Sequence, residues 1–276
     1  MIKDVMVTLE GTAADEVRLA AVETVAGLFQ SQVIGLFLNT MPSIAAVHGD
    51  SFGAPHVADL LQEARRFGDR VEAGLAERLA RLNRPTEIRR IDVLADDIAK
   101  IASQHARSAD TFVALRPNGL PQEPERLVEG VLFGSGRHLL LIPDGHAPTS
   151  PFDRILVAWN GSRESARALA EAMPYLHKAK EVTIVVVDEE RPTEEQALLG
   201  TDATAHLQHH GIDAALHRGA ARGRDVGATL IAESERLQAD LMVVGGYGHS
   251  RLREYLLGGV TYDLLHQAPV PLLIAH

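Results

Sequence analysis

Ala239-Asp240-Leu241-Met242-Val243-Val244-Gly245-Gly246-Tyr247-Gly248-His249-Ser250, running on to Leu257-Gly258-Gly259-Val260-Thr261, is the stretch whose reading decides the fold of this 276-residue chain. Leu241 to Val244 is an unbroken apolar run of strand length, which predicts a strand buried on both faces. It breaks at once into glycines, and helical periodicity resumes only around Thr261. A strand, a glycine loop and a helix in this order make an architecture that holds phosphates. Glycines let the backbone turn with positive φ and approach a ligand closely. Their N–H groups, with the N-terminus of the next helix, form an anion-binding concavity.

Outward from this stretch, the two halves of the chain are written on one plan. Val5-Met6-Val7-Thr8-Leu9-Glu10-Gly11-Thr12 opens the first, and Ile155-Leu156-Val157-Ala158-Trp159-Asn160-Gly161-Ser162 opens the second. Each predicts a strand and a turn, then an alanine-rich amphipathic helix, Ala13 to Phe29 and Arg163 to His177, with Thr12 and Ser162 as N-caps. Second strands follow at Gln32–Leu38 and Glu181–Asp188, and further helices at Val57–Leu82 and Thr193–His210. Third strands are read at Glu87–Val93 and Asp213–His217, then helices at Asp97–Ser108 and Arg224–Gln238. Those helices end in the matched pairs Ala109-Asp110 and Ala239-Asp240. Fourth strands are Thr111–Leu115 and Leu241–Val244; fifth strands are His138–Ile142 and Pro271–Ile274.

Alternating strands and helices imply right-handed βαβ units on a parallel sheet. The fold class is therefore α/β, with two tandem doubly wound, Rossmann-like domains of five parallel strands each. The domains are placed at 1–145 and 152–276. His146-Ala147-Pro148-Thr149-Ser150-Pro151 is the expected linker, and Met41 to Pro55 reads as an inserted surface loop.

Gly245 and Gly248 stand two residues apart, nine more follow, and then comes Gly258-Gly259. This spacing resembles the nucleotide-binding signature of the universal stress protein family, G-x2-G-x9-G-(S/T). Ala268-Pro269-Val270-Pro271-Leu272-Leu273-Ile274 is similar to that family's closing strand, and the resemblance, in its tandem form, covers nearly the whole chain. Gly259 departs from the pattern, standing where the family has Ser or Thr; Thr261 offers a hydroxyl two residues on. The resemblance implies an adenine nucleotide alpha hydrolase-like fold that binds ATP, with Mg²⁺. Gly245, Gly246, Gly248, Gly258, Gly259, Val260 and Thr261 would cradle the phosphates. Asn160 and Val186 would hold the nucleoside. Asn160 replaces a family Asp, exchanging a pure acceptor for a group with one acceptor and two donors. Losing the hydroxyl at Gly259 removes one phosphate hydrogen bond, on the order of 1–2 kcal/mol.

Ligands of doubly wound sheets sit at the carboxyl ends of strands, where strand order reverses. With a 3-2-1-4-5 order, that crevice lies between strands one and four, so Trp159-Asn160-Gly161-Ser162 is expected opposite Gly245. Arg251 and Arg253 read either as phosphate partners or as a solvated basic stretch. Gly219 to Gly223 matches a family loop near the ribose, and a plain connection is the simpler reading. The first half keeps no such loop: Arg116-Pro117-Asn118-Gly119-Leu120-Pro121 has two prolines where amide donors are needed. Gly134-Ser135-Gly136 reads as a helix C-cap and turn. The first half is thus a degenerate copy that binds no nucleotide in the family manner.

Composition sets the outer bounds. Hydrophobic residues make up 46% of the chain and aromatics only 4%, so the cores are aliphatic. A net charge of -10 argues against nonspecific binding to nucleic acid or anionic membrane. The absence of cysteine excludes disulfides, thiolate zinc sites and cysteine nucleophiles. The start of the chain has no signal-peptide pattern and no apolar run reaches membrane-spanning length, so a cytoplasmic protein is expected. His206 and His210, spaced i, i+4 beside His209, read as an exposed helix face, with no further ligand to complete a metal site. His105, His138 and His217 carry no functional reading. Asp188 and Glu189 read as solvated strand-end acids or a Mg²⁺ contact. No catalytic constellation is legible. The expected function is a non-catalytic, ATP-responsive stress protein. Alternatives are a nucleotide-independent interaction scaffold and a slow ATP hydrolase. The resemblance also implies fifth-strand pairing, within the chain through Leu139–Ile142 and Leu272–Ile274, and a homodimer.

Overall fold

In the central strands consecutive residues are apolar, so both faces of the sheet must be covered. The computed structural model describes residues 1–43, 54–117, 125–143, 152–188, 198–221, 225–246 and 259–276. The first half runs β1 (Asp4–Thr8), α1 (Ala14–Phe29), β2 (Gln32–Met41), α2 (Ala54–Leu79), β3 (Thr86–Leu94), α3 (Ile98–Ala106), β4 (Thr111–Leu115), α4 (Glu125–Ser135), β5 (Leu139–Ile142). The second half repeats it: β6 (Arg154–Ala158), α5 (Arg163–Leu176), β7 (Glu181–Asp188), α6 (Thr201–His209), β8 (Ala214–Ala220), α7 (Val226–Arg236), β9 (Leu241–Gly245), α8 (Gly259–Gln267), β10 (Leu272–Ala275). Sequence reading gave α4 a C-cap but no range, although Leu127, Val128, Val131 and Leu132 bury one helical stripe.

The strands form one sheet in the order β3-β2-β1-β4-β5-β10-β9-β6-β7-β8, so each half has the 3-2-1-4-5 order. Val5 and Val7 point to one face, where Leu19, Leu75, Leu169 and Leu207 of α1, α2, α5 and α6 cover them and their counterparts in the second half. Met6 and Met242 point to the other, under Ala102, Val131, Leu230 and Leu264 of α3, α4, α7 and α8.

All neighbouring strands are parallel except at the centre, where β5 and β10 run antiparallel with Leu141 opposite Leu272 and Leu139 opposite Ile274. The fifth-strand pairing within one chain is therefore present. It closes two apolar edges that would otherwise be templates for aggregation. Because the pair is antiparallel, the carboxyl ends of the two halves' strands open on opposite edges of the sheet.

Polar groups, several of them buried, tie the halves together across this seam. The Arg116 guanidinium donates to the Ala268 carbonyl. Thr111 Oγ1 lies 3.0 Å from His138 Nε2 and 3.1 Å from the Tyr175 hydroxyl. His138 Nδ1 lies 2.9 Å from Glu171, which also pairs with Arg167 at 2.5 Å. Arg167 in turn donates to the Gly136 carbonyl. Tyr175 is fully buried and packs edge-on against Phe29, 5.0 Å between centroids. His138 is thus the hub of the seam, a role no sequence pattern announced.

The repeated Ala-Asp pairs do one job twice. Asp110 accepts the Lys3 and Asp4 N–H groups, and Asp240 accepts those of Asp153 and Arg154. Each carboxylate pins the start of strand one to the start of strand four. Gly11 and Gly161 both take positive φ, 78° and 73°, at the turn after strand one, which favours glycine there.

Helix caps differ between the halves. Ser162 caps α5, accepting the Ser165 N–H at 3.2 Å, as the sequence predicts. The α1 helix instead begins after Ala13 with no side-chain cap, so the expectation for Thr12 needs correction. The turn before it is held by Asp15, whose buried carboxylate accepts the N–H groups of Glu10, Gly11 and Thr12 and pairs with buried Arg18.

Candidate functional site

The second half places its strand-order reversal between β6 and β9. Val157 stands opposite Val243 in their parallel register; continued past both strand ends, it brings Asn160 level with Gly246. The two segments expected to face each other therefore do so, at the carboxyl ends of the strands.

Gly245 has a structural cause of its own. A Cβ there would lie 2.5 Å from Glu164 C and from Ser165 N, main-chain atoms of the first turn of α5. The absent side chain is what lets α5 sit down on β9. Gly246 is committed on both sides: its N–H donates to the Ala275 carbonyl at 2.8 Å, and its carbonyl lies 2.9 Å from His276 Nδ1. That amide donates within the sheet, to β10.

Asn160 is exposed, and its Oδ1 accepts the Ser162 N–H at 3.1 Å. The side chain thus spends an acceptor on the turn, and its amide nitrogen carries two donors. Val186 is buried, and its main chain points to β8, where it is paired with Arg218. The Val185 carbonyl points the other way, accepting the Trp159 N–H. Strand alternation therefore turns the main chain of Val187, rather than that of Val186, toward the β6 side.

The helix α8 begins at Gly259; Gly259 and Val260 are exposed and Thr261 is buried. The first N–H groups of a helix have no partner within it, so this end carries donors and a positive dipole. Packing fixes it: a Cβ at Gly227 of α7 would lie 2.9 Å from Asp263. Gly248, Arg251 and Gly258, with Tyr247, His249, Ser250 and Arg253, lie outside the described residues.

Two site groups escaped sequence reading. Glu164 is 4% exposed. The Arg163 guanidinium holds its carboxyl below the usual range against the opposing effect of burial, with a smaller contribution from His276. This keeps a charged carboxylate at the mouth of β9. His276 touches the ring of Phe133, a first-half residue, edge-on at 4.9 Å.

Elsewhere, Gly136 closes α4 with φ 71°, a helix C-cap as read. His206 and His210 are exposed and stack edge-on at 4.7 Å; among the described residues no three His, Asp or Glu side chains gather to hold a metal. His217 pairs with Glu233 at 3.1 Å. The linker residues 146–151, Asn118–Pro121, Arg222 and Gly223, Glu189 and the side chain of Asp188 are outside the described residues.

The fold is that of a tandem doubly wound α/β protein, with a strand-order reversal in each half. Residues 151–276 match the family model described as Universal stress protein family. The chain thus carries a universal stress protein domain in its C-terminal part, and its tandem arrangement fits that family. Over its whole length the fold is similar to that of a universal stress protein from Archaeoglobus fulgidus DSM 4304: 17% identity, 98% of this chain and 97% of that one covered, TM-score 0.71. It is also similar to a putative universal stress protein from Pseudomonas aeruginosa UCBPP-PA14, at 16% identity, covering 99% of this chain and 93% of that one, TM-score 0.59. No curated protein matches the chain.

Proposed function

We propose that this protein is a cytoplasmic universal stress protein that binds ATP, with Mg²⁺, in a domain spanning 152–276, as a conformational ligand and without appreciable turnover. The domain spanning 1–145 binds no nucleotide. The observation that carries this reading is the juxtaposition at the switch point. Asn160 stands level with the end of β9, the parallel topology brings the exposed start of α8 to the same edge of the sheet, and Gly245 to Gly258 carry the G-x2-G-x9-G spacing. With the Gly246 amide used by the sheet, the phosphate donors are those of residues 247–261, chiefly the first turn of α8. The nucleoside lies by Asn160 and the main chain of Val187.

Binding to the folded state alone stabilises it by about 2.7 kcal/mol at a ligand concentration one hundred times Kd. ATP with Mg²⁺ is therefore expected to raise the melting temperature, and Gly248→Val to abolish the rise. An unchanged melting temperature at millimolar ATP overturns the reading. It would favour the scaffold alternative, which the commitment of the Gly246 amide to β10 supports. Hydrolysis no faster than in Gly248→Val removes the hydrolase alternative. Homodimerisation, if it follows the family, must use another surface, because β5 and β10 already pair with each other.

A further inference from the structure

Gly246 is the residue at which the chain leaves β9 for residues 247–258, and it is held from two directions. From its own half come the Ala275 carbonyl on its N–H, His276 Nδ1 on its carbonyl, and Ile274, 3.1 Å from where its Cβ would stand. From the other half comes α4. Leu132 Cδ2 lies 3.3 Å from the same Cβ position, and the Phe133 ring meets the His276 imidazole edge-on, 4.9 Å between centroids and 77° between planes. Phe133 stays 45% exposed, so its ring is placed over His276 rather than driven into the core.

The opposite wall of the crevice is gripped from the first half as well. Arg167 of α5 donates to the carbonyl of Gly136, just past α4, at 2.7 Å, and Glu171 of α5 meets His138 at 2.9 Å. The first turn of that helix is what lies over Gly245. Both glycines at the root of the loop are thus backed by elements that the first half holds.

We propose that the first half serves as the backing of the second half's loop, with Phe133 a positioning residue that acts through His276 on the Gly246 carbonyl. The nucleotide-less half then has a defined role, fixing the point from which the glycine loop departs. This deepens the reading of the site as an ATP-binding crevice and depends on that reading only for what the loop holds.

The test uses the full chain without nucleotide, following exchange of single backbone amides by NMR. In Phe133→Ala and in His276→Ala, the Gly246 N–H is expected to exchange faster by about tenfold, the equilibrium weight of one ordinary hydrogen bond. Val33, far off in β2, should keep its protection. Phe133→Tyr, which retains the ring, and His276→Asn, which retains an N–H donor, should restore protection at Gly246. A merely structural Phe133 would instead loosen Leu132 and Leu139 around α4 and leave Gly246 as it was. Unchanged Gly246 protection in Phe133→Ala overturns the proposal, as does a Phe133→Tyr protein that exchanges as fast as Phe133→Ala. If Phe133→Ala does not fold, Phe133→Leu, which loses the ring and keeps an apolar side chain, takes its place with the same expected and refuting outcomes. Failure of ATP to bind leaves this measurement intact, and a negative result here leaves ATP binding standing.

Discussion

Replacing Gly245 by alanine tests whether this glycine answers to a ligand or to the fold. The added methyl would lie 2.5 Å from Glu164 C and Ser165 N and 2.9 Å from Glu164 O. These are main-chain atoms in the first turn of α5, so no side-chain rotation relieves the overlap. Either β9 or α5 must move. Moving α5 disturbs the Ser162 cap at 3.2 Å and the Glu171–His138 contact at 2.9 Å. Overpacking of this kind costs about 1–3 kcal/mol, and the coupled contacts place the loss toward the upper end. At roughly 2–4 °C per kcal/mol for a chain of this size, the melting midpoint falls by roughly 4–10 °C. Differential scanning calorimetry of the nucleotide-free protein reads this directly, and a urea titration checks it. A Gly245→Ala protein with an unchanged midpoint refutes the packing argument, leaving this glycine explicable only by what it binds.

Two other glycines bracket that result. Gly74→Ala, in exposed α2 with nothing within 4 Å of the new Cβ, should raise stability by roughly 0.5–1 kcal/mol in the same titration. Gly136→Ala, equally open but at φ 71°, should lower it by about 1 kcal/mol. At the seam, Tyr175→Phe keeps the ring against Phe29 and loses only the hydroxyl, at about 1 kcal/mol by urea unfolding. Thr111→Val should cost about 1–3 kcal/mol, because it strands both the Tyr175 hydroxyl and His138 Nε2; equal losses in the two variants would count against the chain of hydrogen bonds. Burial pushes the Glu171 carboxyl up, but the hydrogen bond and charge of His138, with Arg167 and Arg137, outweigh it and hold the group below its ordinary range. Its stabilisation is therefore present above that ordinary value and lost as pH falls through the lowered one. Glu171→Gln should flatten the stability profile between about pH 3 and 5, and an unaltered slope there would contradict the assignment.

Much of the architecture could be read in advance because it is written locally. The Leu241–Val244 run, the strand-and-turn openings at Val5 and Ile155, and the paired Ala109-Asp110 and Ala239-Asp240 are periodic or repeated signals that need no partner to be recognised. Strand periodicity and turn chemistry act over a few residues, so a one-dimensional pattern determined two βα-repeats and the place of the glycine loop. Ser162 as a cap was legible for the same reason. Thr12 was not, since the helix starts one residue later, after Ala13, and the turn before it is held by the Asp15 carboxylate.

What only the tertiary structure decided is which polar groups remain to bind anything. That Gly246 gives its N–H to Ala275, that Gly245 is glycine because α5 rests on it, and that His138 joins Thr111, Tyr175 and Glu171 all depend on segments far apart in the chain. Hydrogen-bond donors and close-packed volume are each used once. Their owner is settled when β5 meets β10 and the helices come down on the sheet, and no window of sequence contains both parties.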